Sequence, residues 1–422
     1  MQKFTLKNNI PVYMFTDDKY ACTRISIHMA LPRSGDTAHL YALLGSLFRR
    51  GCDTCPTFAE FNRRLYDLYG ASFACHIETV GNLYILNLAA QTIDDSYAFS
   101  GEAVAEELCT FLCDMLLCHS FDVSLLSDTD IEIEKQNLID DIRSVINNKR
   151  AYLLRLCSEN IFAGTPMAVS KYGREEDVRA ITRDDLKSAF EFLLQNASVY
   201  ITVVGKNDRT DVVGILSERL SHLPAFKEAM YDIPAVDTSY RADVHPMNVT
   251  QSKMAICFMP SRPLTDRDIN AMRVALVLLS KMPTSRLFMN VREKLSLCYY
   301  CDARFNRITG LFTVDMGLSA ENIDAAREAI FAEINDLKAG NIGEEEYAFM
   351  QKFIQNSYIT VTDSESELDG WVIGQLLQQQ LKMPDEVLKQ LLSITPADIS
   401  AVLGKFTHCF DCRIIPQKEV QQ

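Results

Sequence analysis

One order of elements is written twice along this chain, and that duplication limits the possible folds more than any single motif does. In the first half, strand-like Thr23–Leu31 precedes a helical stretch from Thr37 to Arg50 and a second helix, Phe58–Tyr69. Gly70 then leads into strands at Ser72–Val80 and Leu83–Ala90. In the second half, Met254–Met259 is the strand, Ile269–Leu279 and Ser285–Leu295 the helices, and Cys298–Phe305 and Gly310–Met316 the strands. Long helical patterns follow in both: Tyr97–Leu117 and Asp128–Asn147, then Ala320–Leu337 and Glu344–Ile359. Each half closes on a short strand, Ser198–Val204 or Cys409–Ile415. The order recurs at an offset of about 230 residues, the self-similarity expected of a repeated unit.

Two units also suit a chain of 422 residues, which exceeds what one ordinary core organises. Pro224–His245, proline-bearing and without periodicity, reads as the linker. The expected domains are therefore residues 1–222 and 247–422, joined by 223–246. Hairpins alternating with runs of helices suit an α+β class, with antiparallel-rich sheets covered on one face.

Charge and composition narrow the function. A net charge of -14 argues against nucleic acid, whose phosphates need clustered Lys and Arg. No apolar run reaches the length of a membrane span, and MQKFTLKNNIPVYMF lacks a signal peptide's apolar core, so a cytoplasmic protein is expected. There the 13 cysteines would stay reduced, mostly as small core residues. Three Cys-x-x-Cys pairs occur, Cys52–Cys55, Cys298–Cys301 and Cys409–Cys412, too far apart in sequence to read as one zinc site.

The segment SRLFMNVREKLSLCYY, residues 285–300, carries the chemistry. Leu287, Phe288, Val291 and Leu295 form a helical stripe, and Ser296 breaks it before a strand rich in aromatic and small apolar residues. Arg292 falls in the last turns of the helix and Tyr299 opens the strand, so one cleft could receive both a guanidinium and a phenol. Tyr300 would point to the other strand face and serve packing. On pattern alone, Arg292 beside Glu293 also reads as a solvated surface residue.

This segment resembles the S-R-L-F-x-x-(L/V)-R-E-K-x-x-L-x-Y signature in the C-terminal half of the pitrilysin/insulinase (inverzincin) metallopeptidases, which include the mitochondrial processing peptidase subunits. The resemblance spans essentially the whole chain. It implies paired α/β-roll domains, two such pairs enclosing a peptide-sized chamber. Active members carry H-x-x-E-H on the first long helix, two His binding zinc and the Glu acting as general base. Aligning Arg50-Gly51 with the family's basic-Gly pair puts Ala42-Leu43-Leu44-Gly45-Ser46 over that motif, so both His and the Glu are missing. On IEIEKQNLIDDIRSVINNK, Glu134 and Asp141 match the family's two acidic positions, with Asp141 in place of the zinc-binding Glu. His39 has no second His at i+3 or i+4, and His28, His76, His119, His222, His245 and His408 show no ligand spacing.

The resemblance thus implies a subunit that binds no metal. Some family members divide the zinc motif and the Arg/Tyr pair between two chains, and this one looks like the second kind. Its partner would be a paralogue bearing H-x-x-E-H and zinc, and its substrate an extended peptide added to a strand edge. The combination of features resembles one bacterial subgroup, encoded beside such a paralogue, whose family name connects it with modification of elongation factor P. Two other readings stand beside it: a peptide-binding or scaffold protein without a role in catalysis, and a rebuilt hydrolase using Cys and His. Cys75 and His76 are adjacent in a strand and so face opposite ways, against a dyad.

Overall fold

The computed structural model describes residues 1–34 and 37–417; residues 418–422, the end of the second expected domain, lie outside them. Strands β1 (Gln2–Thr5), β2 (Pro11–Thr16) and β3 (Cys22–Pro32) lead to helices α1 (Ala38–Leu47) and α2 (Phe58–Asp67), then to the hairpin β4 (Ser72–Val80) and β5 (Leu83–Ile93). Helices α3 (Val104–Leu117), α4 (Asp128–Ser144), α5 (Lys149–Ile161), α6 (Glu175–Ala180) and α7 (Arg183–Asn196) precede β6 (Ser198–Gly205) and α8 (Thr210–Arg219). The second half runs β7 (Arg241–Met247), β8 (Ser252–Pro260), α9 (Asp266–Leu276), two π-helical segments (Val277–Lys281 and Leu287–Lys294), and the hairpin β9 (Tyr300–Phe305) and β10 (Phe312–Leu318). It ends with α10 (Ile323–Lys338), α11 (Glu344–Ile359), α12 (Glu365–Leu376), α13 (Pro384–Leu392), α14 (Pro396–Leu403) and β11 (Phe406–Pro416). Helix starts are set locally: Thr57 with Glu60, Thr182 with Asp185, Thr265 with Asp268 and Thr395 with Asp398 form reciprocal capping boxes.

The duplication is visible in the strand order. One sheet runs β1-β2-β6-β3-β5-β4 and the other β7-β11-β8-β10-β9. Apart from the extra β1, each strand has its counterpart in the same place, down to a single parallel pair in each sheet, β2 with β6 and β7 with β11. Strand β7 falls within the stretch expected to be linker. It is an edge strand that carries Pro246 and alternates exposed with half-buried residues, so it has none of the apolar signal of an inner strand.

The compact units do not follow the expected boundaries of 1–222 and 247–422. Unit 1 comprises Met1–Arg143, Val169–Asp232 and Thr360–Lys382; unit 2 comprises Ser144–Ala168, Ile233–Ile359 and Met383–Gln422. Helices α5 and α12, which hold equivalent places in the two halves, are thus exchanged. Within unit 1, α12 packs on β3 and β6; within unit 2, α5 packs on the corresponding β8 and β11. Each sheet has its own half's helices on one face, as expected, and the exchanged helix on the other. Ile25, Ile27 and Met29 of β3 join one buried cluster with Leu43 and Leu44 of α1 and Leu108 and Leu112 of α3. The alternate residues Arg24, Ser26 and His28 face α12.

The two exchanged helices dock through polar clamps of opposite sign. In unit 1 the helix brings the carboxylate. Asp369 accepts from Arg24 Nε at 3.0 Å, Ser26 Oγ at 2.7 Å, His28 Nε2 at 2.9 Å and Thr202 Oγ1. His28 Nδ1 lies 2.6 Å from Asn87 Oδ1, so the imidazolium satisfies both of its neighbours. Burial favours discharging His28, but the Asp369 carboxylate and the hydrogen bonds to Asp369 and Asn87 outweigh it and raise its pKa. Burial likewise opposes the charge on Asp369, yet His28, Arg24 and Thr202 hold the carboxyl far below its ordinary range. In unit 2 the helix brings the cation. Arg150 forks onto Asp315 at 2.5 and 3.0 Å and reaches Asp302 at 2.9 Å, its guanidinium 4.6 Å from the centre of the Tyr300 ring.

Candidate functional site

In unit 2, the segment between α9 and β9 is built by a change of helical pitch. Leu295 N–H reaches back five residues to Asn290 C=O at 3.1 Å, the wide turn of a π-helix, a form that recurs at functional positions. Ser296 then adopts φ +50°, the left-handed region that few side chains occupy, and reverses the chain. Leu297 N–H returns to Val291 C=O, and Tyr299 N–H pairs with Gly317 C=O at 2.8 Å, one residue ahead of β9. Leu287 and Val291 are wholly buried beneath this segment. Arg286 anchors its start: the guanidinium is bidentate on Glu346 at 2.8 Å, bonds Asp336 at 2.7 Å and Asn341 C=O at 2.5 Å, and is nearly buried. This anchor was not foreseen from the sequence, although Arg286 belongs to the quoted motif, because its partners lie some fifty residues downstream.

The result is an open cleft of 420 Å³ lined by Arg292, Glu293, Ser296, Leu297, Cys298, Tyr299, Ser319 and Asn322. Arg292 and Tyr299 therefore border the same space, and both are exposed, with 44% and 54% of their surface accessible. Arg292 lies over the Phe288 ring at 4.9 Å and 3.5 Å from Glu293, a loose surface pair that leaves its donor fork largely unspent. Tyr299 Oη sits 3.3 Å from Ser319 Oγ. The Cys298 thiol is drawn below its ordinary pKa, first by a hydrogen bond from Cys301 and, against burial, by the charge of Arg292. Tyr300 faces the other way, half-buried between Arg150 and Lys253, in the packing role expected of it.

In unit 1, α1 holds the positions aligned with the zinc motif. Ala42 and Gly45 are buried, and a side chain at Gly45 would meet Leu86 and the His76 backbone. Ser46 supplies only a hydroxyl, 3.4 Å from Arg49. Glu134 is taken up by Arg50 at 2.6 Å, while Asp141 is exposed and Glu134 buried, so the two acidic positions differ in environment. The residues present do not fit a zinc ion: of the two ligand positions, Ala42 has no donor atom and Ser46 only a hydroxyl, and Gly45 leaves the base position empty. Among the described residues, no group of three or more His, Cys, Asp or Glu side chains is arranged to hold a metal. Cys75 is fully buried, its thiol pushed up by desolvation, while His76 points outward to Glu78, so the two do not form a dyad.

Comparison with known proteins adds the following similarities. Residues 180–353 match the family described as the peptidase M16 inactive domain. Over 398 residues the chain is 24% identical to the probable inactive metalloprotease YmfF of Bacillus subtilis, covering 92% of both. Among solved structures, a conserved protein from Enterococcus faecalis has a TM-score of 0.89 at 21% identity over 99% of both chains. A peptidase M16 inactive domain from Pseudomonas fluorescens has a TM-score of 0.80 at 14% identity, again over 99% of both. The resemblance read from residues 285–300 holds as a similarity: the chain resembles M16, or pitrilysin/insulinase, proteins, an inactive one among them, in sequence and in fold. No helix among the described residues is long and apolar enough to cross a membrane.

Proposed function

We propose that this chain is the zinc-less subunit of a two-chain, cytoplasmic metallopeptidase, whose partner is an M16 paralogue bearing H-x-x-E-H. The observation that carries the reading is the contrast within the chain: Arg292 and Tyr299 stand exposed at one cleft, while α1 offers no imidazole at Ala42 or Ser46 and no base at Gly45. The partner's zinc would supply the activated water. What this chain adds is positioning and charge stabilisation. A peptide carbonyl under attack gathers negative charge on oxygen, and the Tyr299 hydroxyl would donate to it, a contribution typically of about 3 kcal/mol. The five-donor fork of Arg292 would grip a neighbouring substrate carbonyl or carboxylate. The substrate would be an extended peptide added to a sheet edge; β4 and β9 are such edges here.

The test is zinc-dependent cleavage of a quenched peptide library by this chain alone, and by this chain co-purified with a paralogue bearing H-x-x-E-H. Activity confined to the pair supports the proposal. Activity in the chain alone contradicts it, and a pair that assembles without any cleavage favours the second reading, a peptide-binding or scaffold protein.

A further inference from the structure

The turn between α1 and α2 holds two buried thiols that the proposed cleft does not use. Gly51 at φ +138° opens it, and a Cβ there would lie 2.3 Å from Cys55 C=O, so the turn closes only on glycine. Cys52 N–H then bonds Cys55 C=O at 3.2 Å and Cys55 N–H bonds Cys52 C=O at 2.9 Å. This reciprocal pairing holds the two Sγ atoms 3.5 Å apart, with Thr54 Oγ1 3.1 Å from Cys52 Sγ. Cys52 also lines a cavity of 30 Å³ with Arg50, Asp53 and His119, room enough for a molecule little larger than water. Two thiolates alone make no structural zinc site, which takes four ligands, and no further donor group completes one among the described residues.

We propose that Cys52 and Cys55 are a redox-active dithiol, which hydrogen peroxide entering that cavity converts to an intramolecular disulfide. Cys52 is the attacking sulfur. The hydrogen bond from the Cys55 thiol, reinforced by those of Thr54, outweighs burial and brings its pKa to about 6, whereas Cys55 is held up and keeps its proton. The Cys52 thiolate attacks one peroxide oxygen; the O–O bond breaks and the departing hydroxide takes a proton to leave as water. Cys55 then loses its proton and attacks the Cys52 sulfenic sulfur, expelling the second oxygen as water. Two thiols and one peroxide thus yield one disulfide and two waters, sulfur losing the two electrons that the peroxide gains. Closing the bond requires the sulfurs to approach from 3.5 Å to about 2.05 Å.

Both cysteines fall within residues 51–63, bounded by Arg50 and Arg63, so tryptic digestion keeps them on one peptide. The reduced full chain is treated with equimolar hydrogen peroxide, alkylated, digested and weighed. The expected result is that this peptide escapes alkylation and is about 2 Da lighter, ahead of the remaining thiols. In Cys55→Ser, dimedone should trap a sulfenic acid at Cys52; in the wild-type chain the rate of disulfide formation should fall as pH drops below about 6. Full alkylation of this peptide after treatment overturns the proposal, as does a disulfide formed only at Cys298–Cys301. Both readouts on the wild-type chain stand even if the variant fails to fold.

Discussion

Between the equivalent strands β3 and β4 in unit 1, and β8 and β9 in unit 2, the same stretch of the plan has been used in opposite ways. In unit 1, α1 turns Ala42, Leu43, Leu44 and Gly45 into the core, and at the positions of the zinc motif it offers nothing but the Ser46 hydroxyl. In unit 2, the π-helical segment buries only Leu287 and Val291 and leaves Arg292 and Tyr299 exposed at a cleft. Packing explains the first arrangement completely and the second not at all: an open guanidinium and phenol contribute little to stability. The polar side chains that the core does not need are where a function has to be sought.

The same contrast runs through the docking of the exchanged helices. Unit 1 receives a carboxylate from α12, and unit 2 receives a guanidinium from α5. Each sheet would therefore repel the helix of its own half, since Arg150 would meet Arg24 and His28, and Asp369 would meet Asp302 and Asp315. Opposite polarity thus provides a reason why equivalent helices settle on the other half's sheet.

The clamps offer the largest effects with which to test the comparison. Asp369 is 4% exposed, and Asp369→Asn strands Arg24 and His28, so a loss of about 3–5 kcal/mol in denaturant unfolding is expected. Arg150 is 33% exposed, and water softens its removal; Arg150→Met should cost about 1–3 kcal/mol. Equal losses would erase the distinction between a dry clamp and a wet one. Next comes the anchor of the cleft: Arg286→Met leaves Glu346 and Asp336 without their cation and should cost about 2 kcal/mol. A variant as stable as the parent would mean that the π-helical segment is held by Leu287 and Val291 alone.

Titration separates the units further. The raised pKa of His28 makes its contribution complete below about pH 6.5, the unfolded value, and lost as pH rises through the folded one. The depressed Asp369 contributes fully above about pH 3.9 and loses its share as pH falls. The unit 1 clamp is therefore strongest between about pH 4 and 6.5 and weakens on the alkaline side. Unfolding midpoints should fall above that window, and the slope should flatten in Asp369→Asn; a parallel slope in both proteins would assign it to another group. The smallest effect belongs to Glu293→Gln, whose loose pair with Arg292 should change stability by less than about 0.5 kcal/mol.

The duplicated plan could be read in the residues because apolar alternation and turn signals are local. Ser72–Val80 and Glu344–Ile359 fall where the pattern put them. Helix α3 begins at Val104 rather than Tyr97, because Gly101 at φ +75° interrupts the run. The exchange was hidden, since a helix's sequence does not say which sheet it will meet: the partners of Asp369 on α12 lie over 160 residues away. The pitch of Leu287–Lys294 was hidden too, as the apolar stripe fits an α-helix equally well. Arg292 and Tyr299 were legible only as members of a longer motif, and the Cys52–Cys55 pair was visible as spacing but not as a closed turn.

The most direct measurement is kcat/KM for peptide cleavage by this chain co-purified with a paralogue bearing H-x-x-E-H, with Tyr299→Phe in this chain and zinc content determined in parallel. The account predicts a fall of about 100-fold, carried by kcat, with zinc and assembly unchanged. An active pair indifferent to the loss of that hydroxyl would contradict it.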